Sequence, residues 1–170
     1  MAKIVDCLET DYARQLRRRR HPILGRPTVS VGEIAGGTQP NIVPDRCWIS
    51  IDRRTLPGET EAGVCREIRA LLRRHKLGAR LANNKAAPGV PLETNPARPL
   101  VRQLLKMTGQ RKPQGVDFFC DAAVLASGGI PSVVFGPGDI AQAHTANEWI
   151  SLRSLERATQ FLIRFLQSLP

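Results

Sequence analysis

Residues 131–148, Pro131-Ser132-Val133-Val134-Phe135-Gly136-Pro137-Gly138-Asp139-Ile140-Ala141-Gln142-Ala143-His144-Thr145-Ala146-Asn147-Glu148, join an apolar run to a glycine turn and then to one histidine and one glutamate. Val133, Val134 and Phe135 read as a strand from Pro131 to Phe135 buried on both faces, as strands of parallel sheets are. The crevice beyond the carboxyl end of such a strand is a preferred ligand site. A histidine there is suited to hold a metal through a neutral ring nitrogen. Gly136 and Gly138 either present backbone amides to a carboxylate or allow a tight turn. Taken alone, His144 also reads as a surface loop histidine. Glu148 either orients His144 and its turn or is a solvated carboxylate.

Working outward, periodicity organises the rest of the chain. Ile4, Val5, Leu8, Tyr12 and Leu16 recur at helical spacing, which predicts an amphipathic helix over about residues 3–20, ending before Pro22. Two strands follow. Thr28 to Ile34 alternates around Val29 and Val31, and Arg46 to Arg54 sets Cys47, Ile49 and Ile51 against Trp48, Ser50, Asp52 and Arg54. Val64, Cys65, Ile68, Leu71 and Leu72 predict a helix that stops near residues 76–78, before a short strand over 79–83. The order helix, strand, strand, helix, strand predicts an α/β (α+β) chain whose first part is a ferredoxin-like sandwich lacking its first strand. Pro88, Gly89, Pro91 and Pro96 mark the crossing to a second part, giving expected domains over 1–87 and 88–170. In that second part the sequence predicts helices over 98–108 and 121–126. A last helix carries Leu152, Leu155, Ala158, Phe161, Leu162, Phe165 and Leu166 on one stripe, with Ser151 as its N-cap.

Composition narrows the function classes. At 170 residues the chain is near the size of one domain, and it holds no apolar run of the roughly 20 residues needed to span a bilayer. The acid in Met1-Ala2-Lys3-Ile4-Val5-Asp6 argues against an export signal, so a cytoplasmic protein with no membrane partner is expected. Cys7, Cys47, Cys65 and Cys120 form no Cys-x-x-Cys and read as reduced thiols. The net charge of +10 and the run Arg17-Arg18-Arg19-Arg20 raise nucleic acid as a partner. The run closes a predicted helix, where cations complement the dipole, and no aromatic residues interleave with it to form a stacking platform, so nucleic acid is not the expected partner.

Three blocks carry a resemblance. Gly136-Pro137-Gly138 with Gln142-Ala143-His144 and Glu148, the preceding Cys120-Asp121-Ala122-Ala123, and Gly36-Gly37-Thr38-Gln39-Pro40-Asn41-Ile42-Val43-Pro44-Asp45 with Asp52-Arg53-Arg54-Thr55-Leu56-Pro57-Gly58-Glu59 stand in the order seen in one family. The chain resembles the carboxyl-terminal part of the acetylornithine deacetylase, succinyl-diaminopimelate desuccinylase, aminoacylase and carboxypeptidase G family of co-catalytic zinc amidohydrolases and peptidases. The resemblance implies a dimerisation domain followed by one flank of a catalytic α/β domain. It further implies hydrolysis of N-acyl amino acids by an enzyme of the acetylornithine deacetylase type. The cofactor would be zinc, two ions per complete site, with cobalt as an alternative ion.

Carried onto this sequence, the resemblance makes His144 a metal ligand. Asn41, Arg54, Gly136 and Gly138 become contacts to the substrate's carboxylate, while Glu148 and Asp121 support the site from behind. Arg54 suits this because its planar fork matches a carboxylate bidentately. On their own terms Asn41 is a turn residue, Arg54 a cross-strand partner of an acid, and Asp121 the cap of the helix after it. The family's His-x-Asp motif, its Glu-Glu pair and the glutamate general base are not in this sequence, whose three histidines are His21, His75 and His144. The expectation is therefore a truncated relative, inactive alone, that pairs as a homodimer or with a complementing amino-terminal half; the alternative is a dimerisation or partner-binding module with no catalysis of its own.

Overall fold

A computed structural model describes residues 1–82 and 89–169. The first helical stretch runs without a break from α1 (Ala2–Cys7) through a π turn (Leu8–Tyr12) into α2 (Ala13–Leu16). Two strands, β1 (Thr28–Gly36) and β2 (Cys47–Arg54), pair antiparallel from Thr28↔Arg54 to Gly36↔Cys47, with an irregularity between Val31 and Glu33. Helix α3 (Glu61–Arg74) follows. Later come α4 (Pro99–Thr108), α5 (Ala122–Ser127), a 3-10 turn (Ile140–Gln142) and α6 (Leu152–Gln167).

The chain forms two compact units. One comprises residues 1–93 and 114–129, the other residues 94–113 and 130–170. The expected boundary between residues 87 and 88 lies outside the described residues.

The core of the first unit is built from the stripes the sequence shows. Ile4, Cys7, Leu8, Tyr12 and Leu16 meet Val64, Ile68, Leu71 and Leu72 of α3, and Val29, Val31, Ile49 and Ile51 of the sheet close over them. The sheet's inner face thus uses alternate residues of each strand, as a half-buried antiparallel pair must. At the far end of the hairpin the two chains approach so closely that a Cβ on Gly36 would lie 2.6 Å from the Cys47 Cβ and 2.7 Å from the Arg46 carbonyl oxygen. Only glycine fits there.

The inner face of β2 ends on Arg53, whose side chain is 7% exposed. Its Nη2 donates to both Glu59 carboxylate oxygens at 2.9 and 3.0 Å, and its Nε donates to the Tyr12 hydroxyl at 3.3 Å. The Tyr12 hydroxyl donates in turn to Glu67 at 3.0 Å, and Arg19 bridges Glu59 and Glu67. The helix is shorter than expected: α2 stops at Leu16 with Arg17 as its C-cap, and Arg19 turns inward to this network. Burial, partly offset by the Arg53 guanidinium, holds the Tyr12 phenol above its ordinary pKa.

Local signals explain the helix ends. Thr60 is the N-cap of α3 and its Oγ1 accepts from the Gly63 N–H at 3.1 Å. Ser151 accepts from the Ser154 N–H at the start of α6, as its sequence position predicts. Thr60→Ala removes one of the few partners of the first-turn N–H groups and is expected to lower stability by about 1 kcal/mol, read by urea denaturation; no change in the midpoint would show that the cap is idle.

Two sequence-based strands are corrected. Residues 79–82 form no strand, and Asn83 lies outside the described residues. Pro131 to Phe135 is not a strand either, and Val134 and Phe135 are 45% and 40% exposed. A parallel strand exists only when neighbours satisfy its N–H and C=O groups. Among the described residues the only sheet is the β1–β2 pair, which offers residues 131–135 no neighbour. No helix of the described residues is long and apolar enough to cross a membrane.

Candidate active site loop

The loop after Phe135 is anchored inside the second unit by aromatic packing. The Phe135 ring stacks on Phe161 of α6 with centroids 4.8 Å apart, and Phe161 stacks on Phe165 at 6.3 Å. The chain then turns at Gly138, whose φ of +92° is one that side-chain-bearing residues rarely adopt, with Ile150 close beneath. Gly136 has open space around its α-carbon. Asp139 caps the 3-10 turn by accepting from the Ala141 N–H at 2.9 Å, and the Thr145 hydroxyl donates to the Gln142 carbonyl at 2.8 Å.

This turn delivers His144 in the left-handed region, at φ +63°. Histidine is among the residues that visit this region, but the conformation costs on the order of 1 kcal/mol and persists only where surroundings enforce it. Glu148 enforces it by accepting from the His144 backbone N–H at 3.1 Å. Glu148 is itself exposed. The imidazole is left exposed.

The other candidate residues lie in the first unit and are described there. Arg54 stands on the outward face of β2, 54% exposed. Its Nε donates to Asp52, two residues back on the same strand, at 2.9 Å, and its Nη1 donates to the Asp117 carbonyl at 2.9 Å. The acid it meets is a same-strand neighbour rather than a cross-strand one. These bonds fix the guanidinium plane. Asn41 is exposed in the turn that links β1 to β2. Asp121 is exposed and precedes α5, but its side chain accepts no capping bond. Its backbone is already αR, at φ −62° and ψ −19°, whereas a capping side chain folds back from an extended residue.

Among the described residues, no two-zinc centre of the kind the resemblance implies is assembled. Among the described residues His144 belongs to no group of three Cys, His, Asp or Glu side chains spaced to share an ion. Its nearest acidic partner, Glu148, is committed to a backbone N–H. The residues present supply one imidazole, which does not fit a binuclear site, since two metals about 3.5–4 Å apart need several ligands. Among the described residues, the one group that does have ligand spacing, Cys7 with Asp11 and His75, went unseen in the sequence, because His75 is remote from Cys7 along the chain.

Comparison with known proteins agrees with the motif blocks. Residues 1–80 match the peptidase dimerisation domain family. The acetylornithine deacetylase of Myxococcus xanthus is 31% identical over 140 residues, which cover 81% of this chain and 37% of that protein. The N-acetyl-L-citrulline deacetylase of Xanthomonas campestris pv. campestris is 25% identical over 160 residues, 92% of this chain and 43% of that one. In fold, the chain is similar to an M20 family metallo-carboxypeptidase from Sulfolobus solfataricus, with a TM-score of 0.62 at 18% identity over 97% of this chain and 44% of that one. The fold and these matches define an M20-type chain, related to the carboxyl-terminal part of the M20 metallopeptidases and deacetylases. Its peptidase dimerisation domain occupies residues 1–80. The chain spans well under half the length of the curated relatives it matches.

Proposed function

We propose that the chain is part of a co-catalytic zinc amide hydrolase of the acetylornithine deacetylase type that acts on N-acyl amino acids. Its share is the dimerisation domain, one metal-ligating imidazole and the contacts to the substrate's carboxylate. The observation that carries this is the His144 loop: a histidine held in the left-handed region by Glu148, just past the Gly136 to Gly138 turn, in a chain whose relatives include deacetylases. Arg54, held by Asp52 and the Asp117 carbonyl, presents its guanidinium group to a carboxylate, and Asn41 offers an amide. Gly136 and Gly138 add backbone N–H groups. Asp121 supports the segment beside Cys120.

The chain pairs through residues 1–80 as a homodimer, or joins a complementing amino-terminal half that supplies the remaining metal ligands and the general base, and it works in the cytoplasm. A dimerisation module with no part in catalysis is less favoured, because the similarity to deacetylases runs over 81% and 92% of the chain, well past residue 80. The purified chain, supplied with zinc and N-acetylornithine, is expected to show no hydrolysis above buffer. Turnover that disappears in His144→Ala would overturn the assignment of an incomplete site.

A further inference from the structure

Cys7, Asp11 and His75 meet at one edge of the first unit. Cys7 ends α1 and is 3% exposed; Asp11 lies four residues on, in the π turn; His75 is the C-cap of α3. One donor atom from each, a thiol, a carboxylate oxygen and a ring nitrogen, lies within 4.8 Å of the other two. His75 Nε2 lies 3.0 Å from Asp11 Oδ2.

We propose that these three side chains form a zinc site, separate from the His144 loop and independent of hydrolysis, that clamps the first helix to the carboxyl end of α3.

The spacing of the Asp11–His75 pair is near what a tetrahedral ion needs. Nitrogen and oxygen donors held at about 2.0–2.1 Å from one zinc stand about 3.3 Å apart, so the Asp11–His75 pair opens by only about 0.3 Å to admit it. The donor set selects the ion, since thiolate with imidazole favours zinc or cobalt, whereas magnesium and calcium take oxygen ligands. The fourth position faces water, because the His75 and Asp11 side chains are 36% and 30% exposed. Arg14 pairs with the other Asp11 oxygen, Oδ1, at 3.2 Å and leaves Oδ2 toward His75. The π turn widens the helix between Cys7 and Asp11, and such turns occur often at functional sites.

The thiolate and carboxylate together balance the two charges of a divalent cation.

The test is cobalt titration of the full chain, followed by optical spectroscopy. The wild-type protein is expected to bind one cobalt ion with a thiolate-to-cobalt charge-transfer band that zinc displaces. Cys7→Ser and His75→Gln should each abolish the band or weaken binding by about tenfold or more, while His144→Ala keeps it. Because Cys7 is buried and its variant can misfold, the exposed His75→Gln is decisive, read beside the zinc-induced rise in melting temperature, which it should erase. A wild-type chain without the band, a band that survives His75→Gln, or one lost in His144→Ala overturns the proposal.

Discussion

Leu8→Ala is expected to lower the unfolding free energy of the first unit by about 3 kcal/mol. Leu8 is fully buried at the centre of the stripe formed by Ile4, Cys7, Tyr12 and Leu16, against Val64, Ile68, Leu71 and Leu72 of α3. Truncation removes the transfer free energy of the lost methyl and methylene groups and leaves a cavity that rigid helix packing fills only in part; leucine-to-alanine changes in such cores cost about 2–5 kcal/mol. For a domain near this size, each kcal/mol is worth about 2–4 °C, so the melting temperature should fall by about 10 °C. Thermal denaturation followed by circular dichroism checks this. A drop of only one or two degrees would mean that the first helical stretch does not pack on α3 as described.

Glu59→Gln is expected to cost a similar amount for an electrostatic reason. Burial by itself raises the Glu59 pKa. The Leu56 N–H and the Arg19 and Arg53 guanidinium groups outweigh that and hold it below its ordinary value of 4.5. Removing the charge leaves Arg53, 7% exposed, facing a neutral amide, and breaking a buried pair from one side costs about 3–5 kcal/mol. The pH dependence follows from the direction of the shift. Because the folded pKa is depressed, the carboxylate's contribution is fully present above the ordinary value near 4.5 and is lost as pH falls through the lower folded value. Wild-type stability should therefore decline on the acid side of pH 4.5, and Glu59→Gln should flatten that decline. Parallel acid limbs in the two proteins would show that Glu59 is not the group responsible.

The parts legible in the sequence are those set by local rules. Leu8, Tyr12 and Leu16 at four-residue spacing, Ile49 and Ile51 in alternation, and Ser151 before α6 each met the partner their pattern predicts. What failed depended on neighbours distant in the chain. The run Val133-Val134-Phe135 has the composition of a buried strand, but among the described residues no strand lies beside it, and Phe135 instead stacks on Phe161. Arg19 reads as one of the cations closing a predicted helix, and only the fold shows Glu59 and Glu67 waiting for it. His144 and Glu148 could be paired from the sequence because they are four residues apart. The bond, however, runs to the backbone rather than the ring, a distinction that residue spacing cannot make.

The most direct test of the central claim is a titration of the isotopically labelled full chain with N-acetylornithine, followed by amide chemical shifts, which detect even millimolar binding. The account predicts saturable shifts at Asn41 and Arg54 that are lost in Arg54→Ala, and saturable shifts at Gly136 and Gly138. Unchanged amides at these positions, or shifts confined to other parts of the chain, would contradict a substrate-carboxylate site there.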